Sequence, residues 1–392
     1  MLFSFAMMIL VGVVFAMIMR KVGLPNLLGY LLTGIILGPF VFSVIDTTTF
    51  QISSDIRQIA LMIILMRAGL NLQISDLKKV GSSALLMCFV PASFEILGLM
   101  ILAPIFLHLD LLNAAILGTV LAAVSPAVVV PLMLRLMDEG YGTKEGIPQL
   151  IMTGASMDDV YVIVLFTSLL TLAKSGEFNA LSLLRIPTSI LFGIVSGIVL
   201  GYVLCKLYQL LKLPTGIELA SMFAIGMVLI TIERIMTGMI GFSGLLAIMA
   251  LTATIRHIKP EMADKYSAVL AKLWQPAEIF LFALVGASVQ IDYALSFGPI
   301  VLVVIILALI FRMLGVYLSI MKTKFNMKER IFTMGAYLPK ATVQAAIGGL
   351  ALEAGLASGE LILTAAVTAI LFTAPLGAIF ISLTYRNFLQ KV

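Results

Sequence analysis

The chain has 392 residues, of which 61% are hydrophobic and only 11% are charged, and its net charge is +5. A soluble globular chain carries about 25% charged residues, so this composition excludes a water-soluble protein of this size. The apolar runs are continuous and about 17–25 residues long, which is the length of a membrane-spanning helix and unlike the short alternating runs of a β-barrel. We therefore predict an all-α membrane protein.

Apolar runs separated by charged or Gly/Pro-rich breaks predict about thirteen transmembrane helices. Their predicted cores are residues 2–19, 26–44, 55–72, 82–107, 111–134, 147–173, 184–208, 217–237, 239–257, 264–289, 293–321, 327–353 and 359–385.

The basic loop residues indicate the orientation, because lysine and arginine collect on the cytoplasmic side of a membrane. One set of loops and the C-terminal end hold Arg20, Lys21, Lys78, Lys79, Arg135, Lys144, Lys206, Lys212, Arg256, Lys259, Lys265, Lys322, Lys324, Lys328, Arg330, Arg386 and Lys391. The opposite loops hold only Arg57, Lys174, Arg185 and Arg234. We expect a multi-pass protein of the bacterial inner membrane, with the N-terminus outside and the C-terminus in the cytoplasm.

The chain also contains a weak internal repeat. A shift of 217 positions aligns Phe94-Glu95-Ile96-Leu97-Gly98 with Phe311-Arg312-Met313-Leu314-Gly315, Gly69 with Gly286, and Leu72-Gln73-Ile74 with Val289-Gln290-Ile291. Spans one to six then repeat as spans eight to thirteen, and span seven is a linker. Because seven spans separate equivalent helices, the repeat is inverted, which is a common plan of transporters.

Asp158 and Asp159 are adjacent carboxylates inside the sixth predicted span. A charge at the bilayer centre costs at least ~2.5–3.5 kcal/mol to insert, so such residues mark functional sites. Neighbours on a helix point about 100° apart, which predicts one ion ligand and one helper. Burial and a second carboxylate both favour the neutral form of an aspartic acid. The pair therefore predicts a site for either a proton or a small cation; the alternative is a buried hydrogen-bonded pair without a transport role.

Glu95 in span four and Arg312 in span eleven occupy equivalent positions of the two repeats. A pseudo-twofold axis brings such helices together, and each charge alone is too costly inside a membrane. We expect a mutual ion pair that holds the helix bundle together. A direct role in coupling is the alternative.

Two prolines interrupt predicted spans beside polar residues: Ser125-Pro126 in span five and Pro339-Lys340 in span twelve. The same shift of 217 places Ser125 on Thr342. A proline removes a helix hydrogen bond, so both segments predict broken helices near the membrane centre. The carbonyl end of a half-helix is negative, and Lys340 is the predicted cation that neutralises one such end. Ordinary proline kinks are the alternative.

Arg67 in span three and Glu278 in span ten are the weaker intramembrane charges. Arg67 can reach the membrane interface with its long side chain, and Glu278 can act as a hydrogen-bond partner inside the bundle. The sequence shows no nucleophile–base arrangement, no Walker lysine and no His/Cys cluster. We expect no enzymatic activity, no cofactor, no structural metal and no nucleic-acid partner.

These residues resemble the cation–proton antiporter superfamily, and within it the bacterial NHA-type sodium/hydrogen antiporters. The resemblance spans essentially the whole chain, and the aspartate pair and the Pro-Lys segment are its most specific parts. The other similar segments are Gly23-Leu24-Pro25, Gly29-Tyr30-Leu31-Leu32-Thr33-Gly34, Leu37-Gly38-Pro39, Arg67-Ala68-Gly69-Leu70, Val124-Ser125-Pro126-Ala127-Val128-Val129-Val130-Pro131 and Pro339-Lys340-Ala341-Thr342-Val343-Gln344-Ala345-Ala346-Ile347-Gly348.

The resemblance implies an inverted-repeat homodimer in membrane lipid that exchanges sodium or lithium ions for protons and serves pH homeostasis. Residues 1–76 and 217–292 are then the dimer and gate domain, residues 77–173 and 293–392 are a core that moves like an elevator, and residues 174–216 are a linker helix. These parts together form a single transmembrane unit, residues 1–392.

The resemblance also implies roles for the site residues. Asp159 is the main ion-binding and proton-carrying residue and Asp158 assists it, so both bind the transported Na+. Ser125 and the unwound backbone complete the shell. The residues expected to support the crossing of the two broken helices are Pro126, Lys340 and Thr342, and the expected core ion pair is Glu95 with Arg312.

Arg312 departs from those relatives that carry a proton-releasing lysine at the same place. Arginine does not deprotonate in proteins, so we hypothesise electroneutral, one-for-one exchange. Three other functions stay open: potassium/proton exchange, cation-coupled symport of an organic solute, and a passive channel, against which the paired acids and the repeat argue.

Overall fold

The computed structural model describes residues 1–71, 81–174, 180–236 and 242–391, and these ranges are almost entirely helical. A single antiparallel bridge joins Tyr141 and Lys391 within them. Four features predicted from the sequence lie outside the described residues: the repeat segment Leu72-Gln73-Ile74, the basic pair Lys78 and Lys79, the domain boundary between residues 76 and 77, and the boundary between the eighth and ninth predicted spans at residues 237–239.

The helices are defined here in chain order. They are α1 (Leu2–Lys21), α2 (Asn26–Leu37), α3 (Thr47–Gln51), α4 (Ser53–Asn71), α5 (Gly81–Met87), α6 (Val90–Leu107), α7 (Leu111–Ala122), α8 (Pro126–Asp138), α9 (Ile147–Lys174), α10 (Ala180–Leu211), α11 (Thr215–Met236), α12 (Gly244–Ile258), α13 (Pro260–Ala287), α14 (Ile291–Ile320), α15 (Met327–Ala336), α16 (Thr342–Ile347), α17 (Leu350–Glu353) and α18 (Gly359–Phe388).

In the part of the chain that the structure describes, nine helical segments are long and apolar enough to cross a membrane. They are Leu2–Lys21, Ser82–Leu107, Leu111–Asp138, Ile147–Lys174, Ile190–Leu211, Thr215–Glu233, Pro260–Ala287, Ile291–Ile320 and Gly359–Phe388. Helices α2 and α12 are apolar but shorter. The chain is thus an all-helical, multi-pass membrane protein, and the total of thirteen spans stays a prediction.

Prolines shorten or divide several of the predicted spans. The second predicted span, residues 26–44, is helical only as far as Leu37, because Gly38 precedes Pro39 and adopts an extended conformation. A residue before proline avoids the helical region. The fourth predicted span, residues 82–107, is divided into α5 and α6, and Pro91 lies in the first turn of α6.

One compact unit consists of residues 1–54, 77–163 and 279–392. Within it α6 packs closely on α14, because glycines leave room for the facing helix. A side chain at Gly98 would collide with the ring of Phe311, and one at Gly315 would collide with the backbone of Pro91 and crowd Phe94. The contact is reciprocal, since 94 and 311, like 98 and 315, are 217 positions apart. A twofold axis between the predicted repeats produces such reciprocity; the inverted repeat itself stays a prediction.

The second unit consists of residues 55–76 and 164–278. Within it Gly193, Gly197 and Gly201 follow one another at every fourth position of α10 and face backbone atoms of Ser243 and of α12. Small residues at this spacing let two membrane helices approach closely. Helices α4, α9 and α13 each pass from one unit into the other.

Candidate functional site

The helix that begins as α7 is interrupted for three residues before it continues as α8. Ala123 and Ser125 have extended backbone angles, and Pro126 is the first residue of α8. Proline suits a first helical position because it lacks the N–H that would stay unbonded there, and it keeps the preceding residue extended. We call residues 123–125 the first break. It leaves the last carbonyls of α7 without partners inside the helix.

A second interruption, residues 337–341, separates α15 from α16 and is called the second break. It contains Pro339, and the helix resumes at Thr342. The two breaks meet through their backbones, because the Ser125 N–H donates to the Pro339 carbonyl at 2.8 Å. The N–H of Lys340 donates to Thr373 Oγ1 of α18 at 3.0 Å. The structure therefore brings the two predicted proline segments into direct contact.

Arg312 of α14 lies at the centre of a buried network and is only 1% exposed. Its Nη1 donates to Glu95 Oε2 and its Nη2 to Asp158 Oδ2, both at 2.8 Å. Its Nε donates to the Tyr337 carbonyl at 2.8 Å, and Nη1 also bonds the Ala122 carbonyl. Glu95 and Arg312, paired in the sequence analysis, thus form an ion pair that also includes one of the two aspartates.

Lys340 is the second cation of this network and is fully buried. Its Nζ lies 2.8 Å from Glu95 Oε2 and 2.7 Å from Oε1, and it also donates to the Leu121 carbonyl. The network therefore joins two carboxylates, Glu95 and Asp158, to two cations, Arg312 and Lys340. Buried charges are tolerated when they are paired and hydrogen-bonded in this way.

The two adjacent aspartates of α9 have different surroundings. Asp158 is fully buried, and its Oδ2 accepts both from Arg312 and from the Val124 N–H, the latter at 3.0 Å. Asp159 is 6% exposed and forms no ion pair among the described residues. The buried side-chain oxygens that lack a hydrogen-bond partner include Asp159 Oδ1, Asp158 Oδ1 and Ser125 Oγ. A buried oxygen without a hydrogen-bond partner is energetically unfavourable, so these oxygens gain most from binding a cation or a proton.

The other residues selected from the sequence lie as follows. Thr342 is the buried first residue of α16, and its side chain is not part of the charged network. Arg67 and Glu278 belong to the second unit, where they are half-buried and interact electrostatically with each other.

A protein-family model described as "Sodium/hydrogen exchanger, transmembrane" matches residues 6–386. The chain belongs to the sodium/hydrogen exchanger family. Sodium/hydrogen exchanger 9B2 of Pongo abelii is 35% identical over 388 residues, covering 94% of this chain and 70% of the relative. Sodium/hydrogen exchanger 9B1 of Homo sapiens is 35% identical over 383 residues, covering 94% of this chain and 73% of the relative.

The solved structure of the sodium proton antiporter MjNhaP1 from Methanocaldococcus jannaschii at pH 8 matches this exchanger-family chain with a TM-score of 0.81. The alignment covers 98% of this chain and 97% of that structure at 19% sequence identity. At this level of identity the likeness shows the fold alone.

In this member of the exchanger family, the site also includes two residues that the sequence analysis did not select. Gln344 Nε2 donates to the Ala123 carbonyl at 2.8 Å. The hydroxyl of Tyr337 lies directly against Gly154, where any side chain would collide with it. The spacing of four residues between Lys340 and Gln344 would put both on one face of an unbroken helix, and that signal was available in the sequence. Nothing local marked Tyr337.

Proposed function

We propose that this chain is a secondary transporter that exchanges sodium or lithium ions for protons, and that the two compete for Asp159. The observation that carries the proposal is the contrast between the paired charges of the network and the unpaired Asp159. Two cations balance Glu95 and Asp158, so the carboxylate of Asp159 is the one acid of this cluster left for a transported ion. The relatives are named sodium/hydrogen exchangers, which favours sodium ions and protons as the two exchanged ions.

The chemistry of the surrounding atoms fits a small hard cation. Asp159 Oδ1, Asp158 Oδ1 and Ser125 Oγ are all oxygens without hydrogen-bond partners, and hard cations prefer oxygen ligands. A proton needs only the Asp159 carboxylate. One site with two exclusive occupants is sufficient for coupling, provided that the core moves only when the site is neutralised. A bare buried carboxylate is too poorly solvated to move cheaply through an apolar gate.

We further propose electroneutral, one-for-one exchange. Arg312 carries a charge that it does not release, and it is bonded to Glu95 and Asp158 at once. Arg312 and Lys340 together balance Glu95 and Asp158. One cation or one proton at Asp159 therefore neutralises the one negative charge that remains. This contrasts with a site in which a lysine adds its own proton to each cycle.

The finer architecture is part of the same proposal. It comprises thirteen spans in two inverted repeats, a dimer and gate domain (residues 1–76 and 217–292), and an elevator-like core (residues 77–173 and 293–392). The reciprocal packing of Gly98 on Phe311 and of Gly315 on Phe94 favours the repeat. A homodimer in the bacterial inner membrane, with the N-terminus outside and a role in pH homeostasis, completes the proposal.

The experiment is proton flux in proteoliposomes that are exposed to Na+, Li+ or K+. We expect Na+ and Li+ to drive flux in the wild type, and Asp159→Asn to abolish it while the protein still folds. The matched control is Asp292→Asn, since Asp292 is an exposed acid at the start of α14, and it should retain wild-type flux. Full activity of Asp159→Asn would contradict the site assignment.

The other outcomes separate the remaining functions. Flux with K+ alone would keep the exchange mechanism and change the ion. The absence of any cation-dependent proton flux would overturn exchange and favour solute symport, and unitary currents in single-channel recordings would indicate a channel. The stoichiometry is tested by imposing membrane potentials at fixed ion gradients; strongly voltage-dependent net exchange would contradict the one-for-one ratio.

A further inference from the structure

Gln344 connects the second half of the chain to the first break without carrying a charge. It lies on α16, is fully buried, and donates from Nε2 to the Ala123 carbonyl at 2.8 Å and to the Leu121 carbonyl at 3.4 Å. Its Oε1 has no hydrogen-bond partner. Lys340, in the second break, bonds the Leu121 carbonyl as well. Among the hydrogen bonds of the described residues, only that of Gln344 reaches Ala123.

Each of the three residues of the first break forms one hydrogen bond to a segment outside α7 and α8, and the Ser125 carbonyl also accepts from the N–H groups of Val128 and Val129 in α8. The Ala123 carbonyl accepts from Gln344 at 2.8 Å, the Val124 N–H donates to Asp158 at 3.0 Å, and the Ser125 N–H donates to the Pro339 carbonyl at 2.8 Å. Ala123 and Val124 lie between two helix ends, where the ladder of hydrogen bonds within a helix is interrupted. The position of the Ser125 hydroxyl therefore depends on these three contacts together with the start of α8.

We propose that Gln344 is a positioning residue that fixes the first break in the geometry needed by a bound cation, and that it has little influence on proton binding. This inference rests on the proposed function. A cation requires several oxygens at defined distances at the same time, whereas a proton requires one carboxylate oxygen. Loosening the segment that carries Ser125 weakens cation binding, while the Asp159 carboxylate on α9 keeps its place.

The test compares Gln344→Met with the wild type. Methionine has a similar length and no donor, so the Ala123 carbonyl loses its partner and is left buried without a hydrogen bond. We expect the apparent KM for Na+ to rise about tenfold, equivalent to ~1.4 kcal/mol, with kcat at saturating Na+ retained. Because proton and cation compete, the same loss moves the alkaline onset of activity at fixed Na+ up by about one pH unit.

Two further variants guard against simple misfolding. Gln344→Asn keeps the amide and withdraws it by one methylene, so its KM should lie between those of the wild type and Gln344→Met. Gln290→Met is the matched control, because Gln290 is exposed and bonds Glu360 at 2.7 Å; it should leave KM and the pH profile unchanged. Calorimetric titration of the detergent-solubilised protein with Li+ should show the same tenfold weakening for Gln344→Met.

The outcomes separate this inference from the proposed function. A wild type without Na+-driven flux would refute the function and leave nothing for Gln344 to position. A wild type that transports, together with Gln344 variants that lower only kcat or the amount of folded protein at unchanged KM and pH profile, would overturn the role of Gln344 alone.

Discussion

The two helix breaks of the site each have a proline in or directly beside them but are stabilised by different means. At the first break the carbonyls at the end of α7 accept from charged side chains: Arg312 bonds Ala122 and Lys340 bonds Leu121. Both cations come from the second half of the chain. The negative end of α7 is thus neutralised by formal charges at close range.

At the second break the partners are mostly neutral. The Pro339 carbonyl accepts from the backbone N–H of Ser125, and the Lys340 N–H donates to the Thr373 hydroxyl. Among the described residues, the Tyr337 carbonyl is the only carbonyl of this break that accepts from a charged group, Arg312. The second break therefore contributes a positively charged side chain, that of Lys340, to the first break, while its own backbone groups bond mostly to neutral partners. Removing charge should disturb the first break most, and the predictions below test this asymmetry.

The largest effect is expected for Arg312→Met. The change removes one hydrogen-bond donor from Glu95 and one from Asp158. Breaking a buried ion pair costs about 3–5 kcal/mol. We expect a loss of that size in the free energy of unfolding, measured by thermal or denaturant melts in detergent. Arg312→Lys, which keeps the charge and loses the planar fork, should fall between this variant and the wild type.

Arg135→Met is the control for that experiment. Arg135 pairs with Glu139 at 2.8 Å with its side chain 58% exposed, and exposed pairs contribute about 0–1 kcal/mol. Equal losses for Arg312→Met and Arg135→Met would show that the network does not stabilise the two breaks.

Lys340→Met should have an intermediate effect. Glu95 keeps its bond to Arg312. Even with a cation or a proton on Asp159, however, Glu95 and Asp158 then face only one positive charge, so one negative charge stays uncompensated. Moving that charge through an apolar gate is unfavourable, so we expect kcat for Na+-driven proton flux to fall at least about tenfold. Lys324→Met, at an exposed position, should leave kcat unchanged. An unchanged kcat in Lys340→Met would contradict the need for a neutral cluster.

The smallest effect is expected for two hydroxyls that the shift of 217 positions makes equivalent, that of Ser125 in the first break and that of Thr342 directly after the second break. Ser125 Oγ lacks a hydrogen-bond partner, so Ser125→Ala should leave thermal stability unchanged and raise the apparent KM for Na+ about three- to tenfold, the value of one lost ligand bond. Thr342→Val should change KM less than twofold. The comparison fails as proposed if Thr342→Val has the larger effect on KM.

Part of the site was predictable because its residues break rules that apply to any membrane helix. Asp158, Asp159, Glu95 and Arg312 stand out, since charges inside a membrane are rare and costly. The two helix interruptions were predictable from Pro126 and Pro339 because proline lacks the N–H. The link between Asp158 and Arg312 was not, because the sequence analysis paired Arg312 with Glu95 only through the repeat.

Gln344 and Tyr337 escaped notice for a related reason. Buried glutamine and tyrosine carry no formal charge, so neither is conspicuous against an apolar helix. Their importance depends on what lies opposite: the Ala123 carbonyl for Gln344, and the backbone of Gly154 for Tyr337. Neither partner is near in the sequence.

By itself, the sequence determined the class of protein, two of the places where its helices break, and the charged residues that are too costly inside a membrane to lack a role. These properties follow from local composition, from the thickness of a bilayer and from the chemistry of proline. Only the tertiary structure decided that Arg312 bonds Asp158 across 154 residues as well as Glu95 across 217, and that Asp159 forms no ion pair with any other described residue. Partner choice depends on which helix faces pack together, and no local pattern encodes contacts between such distant segments.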